Sequence, residues 1–184
     1  VSHMLQSSGS KNYEFSSEDN QWKVNLTRTF ISLSTSRYYR WEEFKQKLDL
    51  PLDALIGIYS PTHFSRVGLR YVDVIKRSDL DLADVPWHEL LQPYILGVAT
   101  RVEACESGCE IRLSDGESMV RLLTKLASVD DEASFVIDSD FYNTSKTKVD
   151  EALTRLDFFN TRASRLIQWC ITERLHEAME PQQL

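Results

Sequence analysis

From Trp22 onward, apolar and polar positions alternate: Trp22, Val24 and Leu26 against Lys23, Asn25 and Thr27. A period of two belongs to a half-buried β-strand. The pattern predicts a strand that runs on through Phe30, Ile31 and Leu33. Asp19-Asn20 just before it is a turn signal, which makes Tyr13 to Ser16 the partner strand of a hairpin. The period then changes. Trp41, Phe44 and Leu48 recur at helical spacing, with Ser34, Thr35 and Ser36 ahead of them as caps. Proline is accepted at a first helical position, so Pro51 predicts a kinked helix or two abutting ones. Leu52, Leu55, Ile56 and Tyr59 carry the second part, and Pro61 ends it.

The stretch Arg66-Val67-Gly68-Leu69-Arg70-Tyr71-Val72-Asp73-Val74-Ile75 reads as a strand with two faces. Val67, Leu69, Tyr71 and Ile75 form a core face, while Arg66, Gly68, Arg70, Val72 and Val74 share the other. A loop with Asp79, Asp81 and Asp84 follows, then a short helix from Trp87 to Leu91, opened by Pro86 and stopped by Pro93. Turn signals at Ser107-Gly108, Asp115-Gly116 and Asp130-Asp131-Glu132 divide the next region into strands at about 96–106, 109–114, 117–127 and 133–142. Short turns make such strands an antiparallel meander.

From Lys146 the period is helical to about residue 180. Val149, Leu153, Leu156, Phe159, Ala163, Leu166, Cys170 and Met179 lie near one stripe, widened by Ile167, Ile171 and Leu175. An unbroken helix of roughly 30 residues spans about 45 Å, more than a small sheet's width. Either it kinks near Asn160 or part of it packs on another subunit. The element order gives an α+β fold: a mostly antiparallel sheet with a C-terminal four-stranded meander, packed by a kinked N-terminal helix and a long C-terminal one.

The 184-residue length suits a single domain, taken as residues 11–184. Ser2-His3-Met4 resembles a cloning scar, so residues 1–10 are read as a tag or disordered. A net charge of −7 argues against wrapping a nucleic-acid backbone. No apolar run approaches a membrane span; the longest, Tyr94 to Ala99, is far too short. Cys105, Cys109 and Cys170 do not make an even disulfide framework, and no signal-peptide pattern precedes them, so the cytoplasm is the expected compartment.

Cys105 and Cys109 flank a predicted turn, but His63, His88 and His176 are scattered, and a zinc site wants about four ligands. They read as strand cysteines. Nucleophile elbows and phosphate-cradling glycine loops are absent from the sequence. Charged strand faces are the constellation worth pursuing. Arg66 and Arg70 share one face, Arg121 and Lys125 another, and Asp138 and Asp140 a third. With Gly68, the basic residues are candidates for holding a phosphate or carboxylate. The two aspartates are candidates for a divalent cation such as Mg²⁺. The plainer reading is a solvated sheet face with charges paired across strands. Val72, Val74 and Val136, mixed among those charges, suit a partly covered groove or an interface. Tyr38, Tyr39 and Trp41 read as a base-stacking platform or as helix packing. Trp169, near Phe158 and Arg162 by helical spacing, reads as a partner surface or as core.

In order, the chain has Tyr13-Glu14-Phe15-Ser16-Ser17, Leu33-Ser34-Thr35, Arg40-Trp41-Glu42-Glu43-Phe44, Arg66-Val67-Gly68-Leu69-Arg70-Tyr71, Ile137-Asp138-Ser139-Asp140 and Ile171-Thr172-Glu173-Arg174-Leu175. This order resembles a sporadically distributed family of uncharacterised bacterial proteins with a central Arg-x-Gly-Leu-Arg-Tyr motif. The likeness runs from Tyr13 to Met179 and lacks that family's N-terminal portion. Asp73 departs from the asparagine common there. The resemblance implies one fold and no reaction, substrate or cofactor. The expected function is a non-enzymatic binding or regulatory module without a cofactor, self-associating or holding a protein partner through the C-terminal helix. The alternative is a Mg²⁺-assisted hydrolase of a nucleotide or other phosphate ligand.

Overall fold

The computed structural model describes residues 11–97 and 105–179. The expected α+β architecture is present, with antiparallel sheets, a four-stranded C-terminal sheet and a long helix after it. The chain forms two compact units that meet at Pro61 and Thr62, so the segment read as one domain has two centres of packing.

The first unit holds β1 (Tyr13–Ser16), β2 (Trp22–Leu26), β3 (Ile31–Thr35) and α1 (Trp41–Tyr59). The three strands form an antiparallel meander. Asn20, at φ 56°, makes the first turn, since asparagine tolerates the left-handed region at little cost. The strand expected to continue from Leu26 through Phe30 instead reverses there. The Thr27 hydroxyl accepts from the Thr29 and Phe30 amides, a local bond that competes with the ladder. α1 runs through Pro51 without a break, although that residue cannot donate to the turn before it. Trp41 is buried and stacks on Phe44, whose ring also meets Trp22 and Tyr38. The Tyr38–Trp41 cluster is therefore helix packing, with Tyr39 left exposed.

The second unit begins with β4 (His63–Phe64) and β5 (Val67–Ile75). Two short helices, α2 (Trp87–Leu90) and α3 (Pro93–Leu96), precede β6 (Cys105–Arg112), β7 (Ser118–Val129) and β8 (Glu132–Asn143). Pro93 opens α3 rather than merely stopping α2. The sheet order is β5-β8-β7-β6, antiparallel throughout, and β4 pairs with β9 (Thr147–Lys148). Gly116 at φ 74° makes the first hairpin, and Asp130 and Asp131, both at positive φ, make the second. Ser107-Gly108 is not a turn: β6 passes straight through it, and the fourth strand of the sheet is β5. Most of the strand expected at 96–106 lies outside the described residues, as do residues 1–10 and the helix end beyond Met179.

One face of this sheet is the core. Ile75, Leu122, Leu126, Phe135 and Ile137 pack against Leu90, Leu91, Ile95 and Leu96 from the short helices, and against Cys170, Ile171 and Leu175. The C-terminal stripe is buried at Leu156, Phe159 and Cys170, as its spacing predicts. The helix is not kinked at Asn160, whose side chain accepts from the Tyr71 hydroxyl. It breaks instead at Ile171 and Thr172, between α4 (Ala152–Cys170) and α5 (Glu173–Ala178). Ile171 bridges to Leu91, the Gln92 amide donates to the Cys170 carbonyl, and Thr172 donates from its amide to Leu90. The Thr172 hydroxyl then caps α5. Helical periodicity cannot show a break that distant backbone groups impose. No helix of the described residues is long and apolar enough to cross a membrane.

Candidate functional site

The face of the four-stranded sheet opposite the core carries all seven residues singled out in the sequence. The strand period sets them there, and the register sets their neighbours. Across the sheet, Arg70 lies opposite Asp140, Asp140 opposite Arg121, and Arg121 opposite Glu110. One step along, Val72, Asp138, Leu123 and Gly108 form the next row, and Val74, Val136, Lys125 and Glu106 the row beyond.

Ion pairs run diagonally between the rows. Arg70 grips Asp138 with two bonds, Nε to Oδ1 at 2.7 Å and Nη2 to Oδ2 at 2.5 Å. That hydrogen bonding raises the guanidinium pKa further above its ordinary value. Arg66, just before β5, donates from Nη2 to both oxygens of Asp140 at 3.0 and 2.9 Å. Its guanidinium carbon lies 5.0 Å from the Tyr142 ring centre, a cation–π contact. Arg121 approaches Asp140 from the other side at 4.0 Å. Lys125 has no ion pair among the described residues; Val136 and Glu106 flank it in register.

Gly68 has a local explanation. A Cβ there would lie 2.8 Å from Nη1 of Arg66, so the missing side chain leaves room for that arginine to fold back over the strand. The close approach that a strand glycine signals comes from the chain itself. Gly108 does the same for Leu123, whose Cδ2 would meet an added Cβ at 2.5 Å.

The aspartates are only 17% and 19% exposed at their side chains, and arginines fill their open sides. A divalent cation would have to displace both guanidinium groups. Among the described residues no three His, Cys, Asp or Glu side chains converge on one point. This donor set does not fit a resident Mg²⁺.

Two members of the face escape the sequence reading. The Tyr142 hydroxyl donates to Glu110 at 3.0 Å, tying β8 to β6 across β7. Alternation from Asp138 and Asp140 places Tyr142 here; Glu110 lies in the strand predicted at 109–114, but its place opposite Arg121 comes from the sheet register. On the core face, Asp73 follows Tyr71 in the same alternation. Burial pushes its carboxyl up to about 6. It lies opposite Ile137, near Cys170, whose thiol burial pushes up to about 12.

Among the cysteines, all three are free. Cys105 and Cys109 are four residues apart on one strand, about 13 Å at strand rise, too far for a disulfide. On α4, Arg162 lies over the Phe158 ring and donates to Ser114, so neither is an open aromatic strip. Trp169 stays half exposed against Tyr94, with ring centres 4.5 Å apart.

Because Arg70 is largely exposed, its pair with Asp138 is worth little in free energy. A double-mutant cycle with Arg70→Ala and Asp138→Ala is expected to return a coupling of about 0.5–1 kcal/mol that shrinks as salt rises. Urea titrations at low and high salt measure it; a coupling several times larger would mean that the pair is shielded from water.

No family model, curated protein or solved structure matches this chain. The geometry of the face therefore carries the functional reading.

Proposed function

We propose that the chain is a non-enzymatic interaction module, and that its partner surface is the uncovered face of the four-stranded sheet. One observation carries this reading. Arg66 and Arg70 are already held by the protein's own carboxylates, while Val72 and Val74, 54% and 46% exposed, stand beside them. Rigid, neutralised charges around exposed apolar side chains suit a protein surface, where orientation and specificity matter more than charge capture.

The alternative, a phosphate-binding hydrolase, needs arginines with open donors and aspartates with open oxygens. Here Arg66 and Arg70 are engaged by Asp140 and Asp138, which occupies the carboxylates a metal would need and leaves Arg121 and Lys125 as the less committed cations of the face. The C-terminal helix is the weaker partner surface, because its apolar stripe is spent on the sheet and leaves the Tyr94–Trp169 pair. Three unbridged cysteines suit a reducing compartment, so the cytoplasm is proposed as the setting.

Thermal denaturation with inorganic phosphate and nucleoside triphosphates, with and without Mg²⁺, separates the two readings. A ligand that binds the native state must raise the melting temperature. The expected result is no rise at millimolar ligand. A rise of several degrees that Arg70→Ala abolishes would overturn the proposal in favour of the hydrolase.

A further inference from the structure

The charges on the open face change sign strand by strand. Arg70 belongs to β5 and Arg66 directly precedes it, Asp138 and Asp140 belong to β8, Arg121 and Lys125 to β7, and Glu106 and Glu110 to β6. The order across the sheet is basic, acidic, basic, acidic. A pattern of that kind is complementary to itself under one rotation and not under another.

We infer that this face binds a second copy of the chain about a two-fold axis parallel to the strands. The inference rests on the interaction-module reading and names its partner. An isologous contact needs a patch that matches itself. A two-fold along the strands exchanges the sheet's edges, so β5 of one protomer covers β6 of the other and β8 covers β7. Basic stripes then meet acidic ones. Level for level, Arg70 faces the partner's Glu110, and Asp140 faces the partner's Arg121. Val72 meets the partner's Leu123 where that side chain lies over the partner's Gly108. A two-fold across the strands would instead lay β8 on β8 and bring four carboxylates together. Arg112, on β6 level with Gly68, does not spoil the match, because it turns to the Gly116 carbonyl at the hairpin.

Four strands about 4.8 Å apart and some eight residues long give a plan area of about 500 Å². Stable interfaces bury roughly 800 Å² per partner. The dimer is accordingly weak, in the micromolar range or above, and sensitive to salt through its rim charges.

Charge exchange between two samples tests it. Arg70→Glu alone sets glutamate against the partner's Glu110 twice over, and Glu110→Arg alone sets arginine against the partner's Arg70 twice over. Mixed, the two variants make a heterodimer in which every such pair is again of opposite sign. Sedimentation velocity on the full chain, from micromolar to submillimolar, should show a dimer for the unaltered protein. Each variant alone should associate at least tenfold more weakly, and the mixture should recover. A monomer at every concentration overturns the inference, and so does a dimer that neither variant weakens or a mixture that does not recover. If Arg70→Glu fails to fold by circular dichroism, Val72→Lys, at an outward position, takes its place: the dissociation constant should rise tenfold, and an unchanged constant overturns the inference. Phosphate-ligand melting shifts on the same samples would sink the underlying reading instead, whatever the association state.

Discussion

Asparagine in place of Asp73 is expected to stabilise the C-terminal unit at neutral pH, by up to about 3 kcal/mol. Asp73 sits on the core face of β5 between Tyr71 and Ile75, with no hydrogen bond or ion pair to another described residue. Burial lifts its carboxyl from 3.8 to about 6. A raised folded-state value means that the native chain holds the proton more tightly than the unfolded chain. Its contribution is then full below the unfolded value and is lost as pH rises through about 6. Above that, the native state carries a poorly solvated charge near Cys170. At about 1.36 kcal/mol per pH unit of displacement, the loss reaches about 3 kcal/mol. Asn fits the same space without a charge to desolvate. Urea unfolding of both proteins at acid and neutral pH provides the check. The gain from Asp73→Asn must grow between about pH 4 and pH 7; a gain independent of pH would mean that Asp73 is well hydrated.

Alternation explains why the charged face of the sheet is largely legible in the sequence. It puts Gly68 and Arg70 on one side of β5, which Arg66 joins by reaching Asp140 from just ahead of the strand, and Asp138 and Asp140 on one side of β8. Alternation cannot say which strands are neighbours. β5 pairs with β8 although some sixty residues separate them, so the bond from Arg70 to Asp138 has no local signature. Nor can turn chemistry separate a glycine that bends the chain from one that makes room. Gly116 bends it at φ 74°, while Gly108 lies in a straight strand under Leu123. A turn at Ser107-Gly108 splits β6 and leaves only its second half, the strand predicted at 109–114, so Glu106 and Glu110 do not appear as one charged row. The same limit applies to the C-terminal helix. Its spacing predicts the stripe buried at Leu156, Phe159 and Cys170, but the break at Ile171 comes from Leu91 and Gln92 some eighty residues earlier.

Replacing Asn143 by Ala is expected to cost about 2–4 kcal/mol, more than removing any ion pair on the open face. Asn143 ends β8 and is 1% exposed. Its Oδ1 accepts the Val67 amide at 3.2 Å, and its Nδ2 donates to the Thr147 hydroxyl at 2.8 Å. It also reaches the Ser145 carbonyl at 3.3 Å. One side chain thus pins the start of β5, the end of β8 and the short strand β9. Alanine leaves the Val67 amide and the Thr147 hydroxyl without that partner in a dry site, and each such loss costs about 1–3 kcal/mol. A void adds to it. The consequence reaches the face, because Val67 follows Arg66, whose guanidinium must fold back over Gly68 to reach Asp140. Loosening the start of β5 should release that arginine. Amide exchange at Val67 should accelerate in the variant, and the melting temperature should fall by several degrees, while Ser145→Ala changes neither by much. A near-neutral Asn143→Ala would mean that water replaces the amide there, and that β5 is held by its ladder with β8 alone.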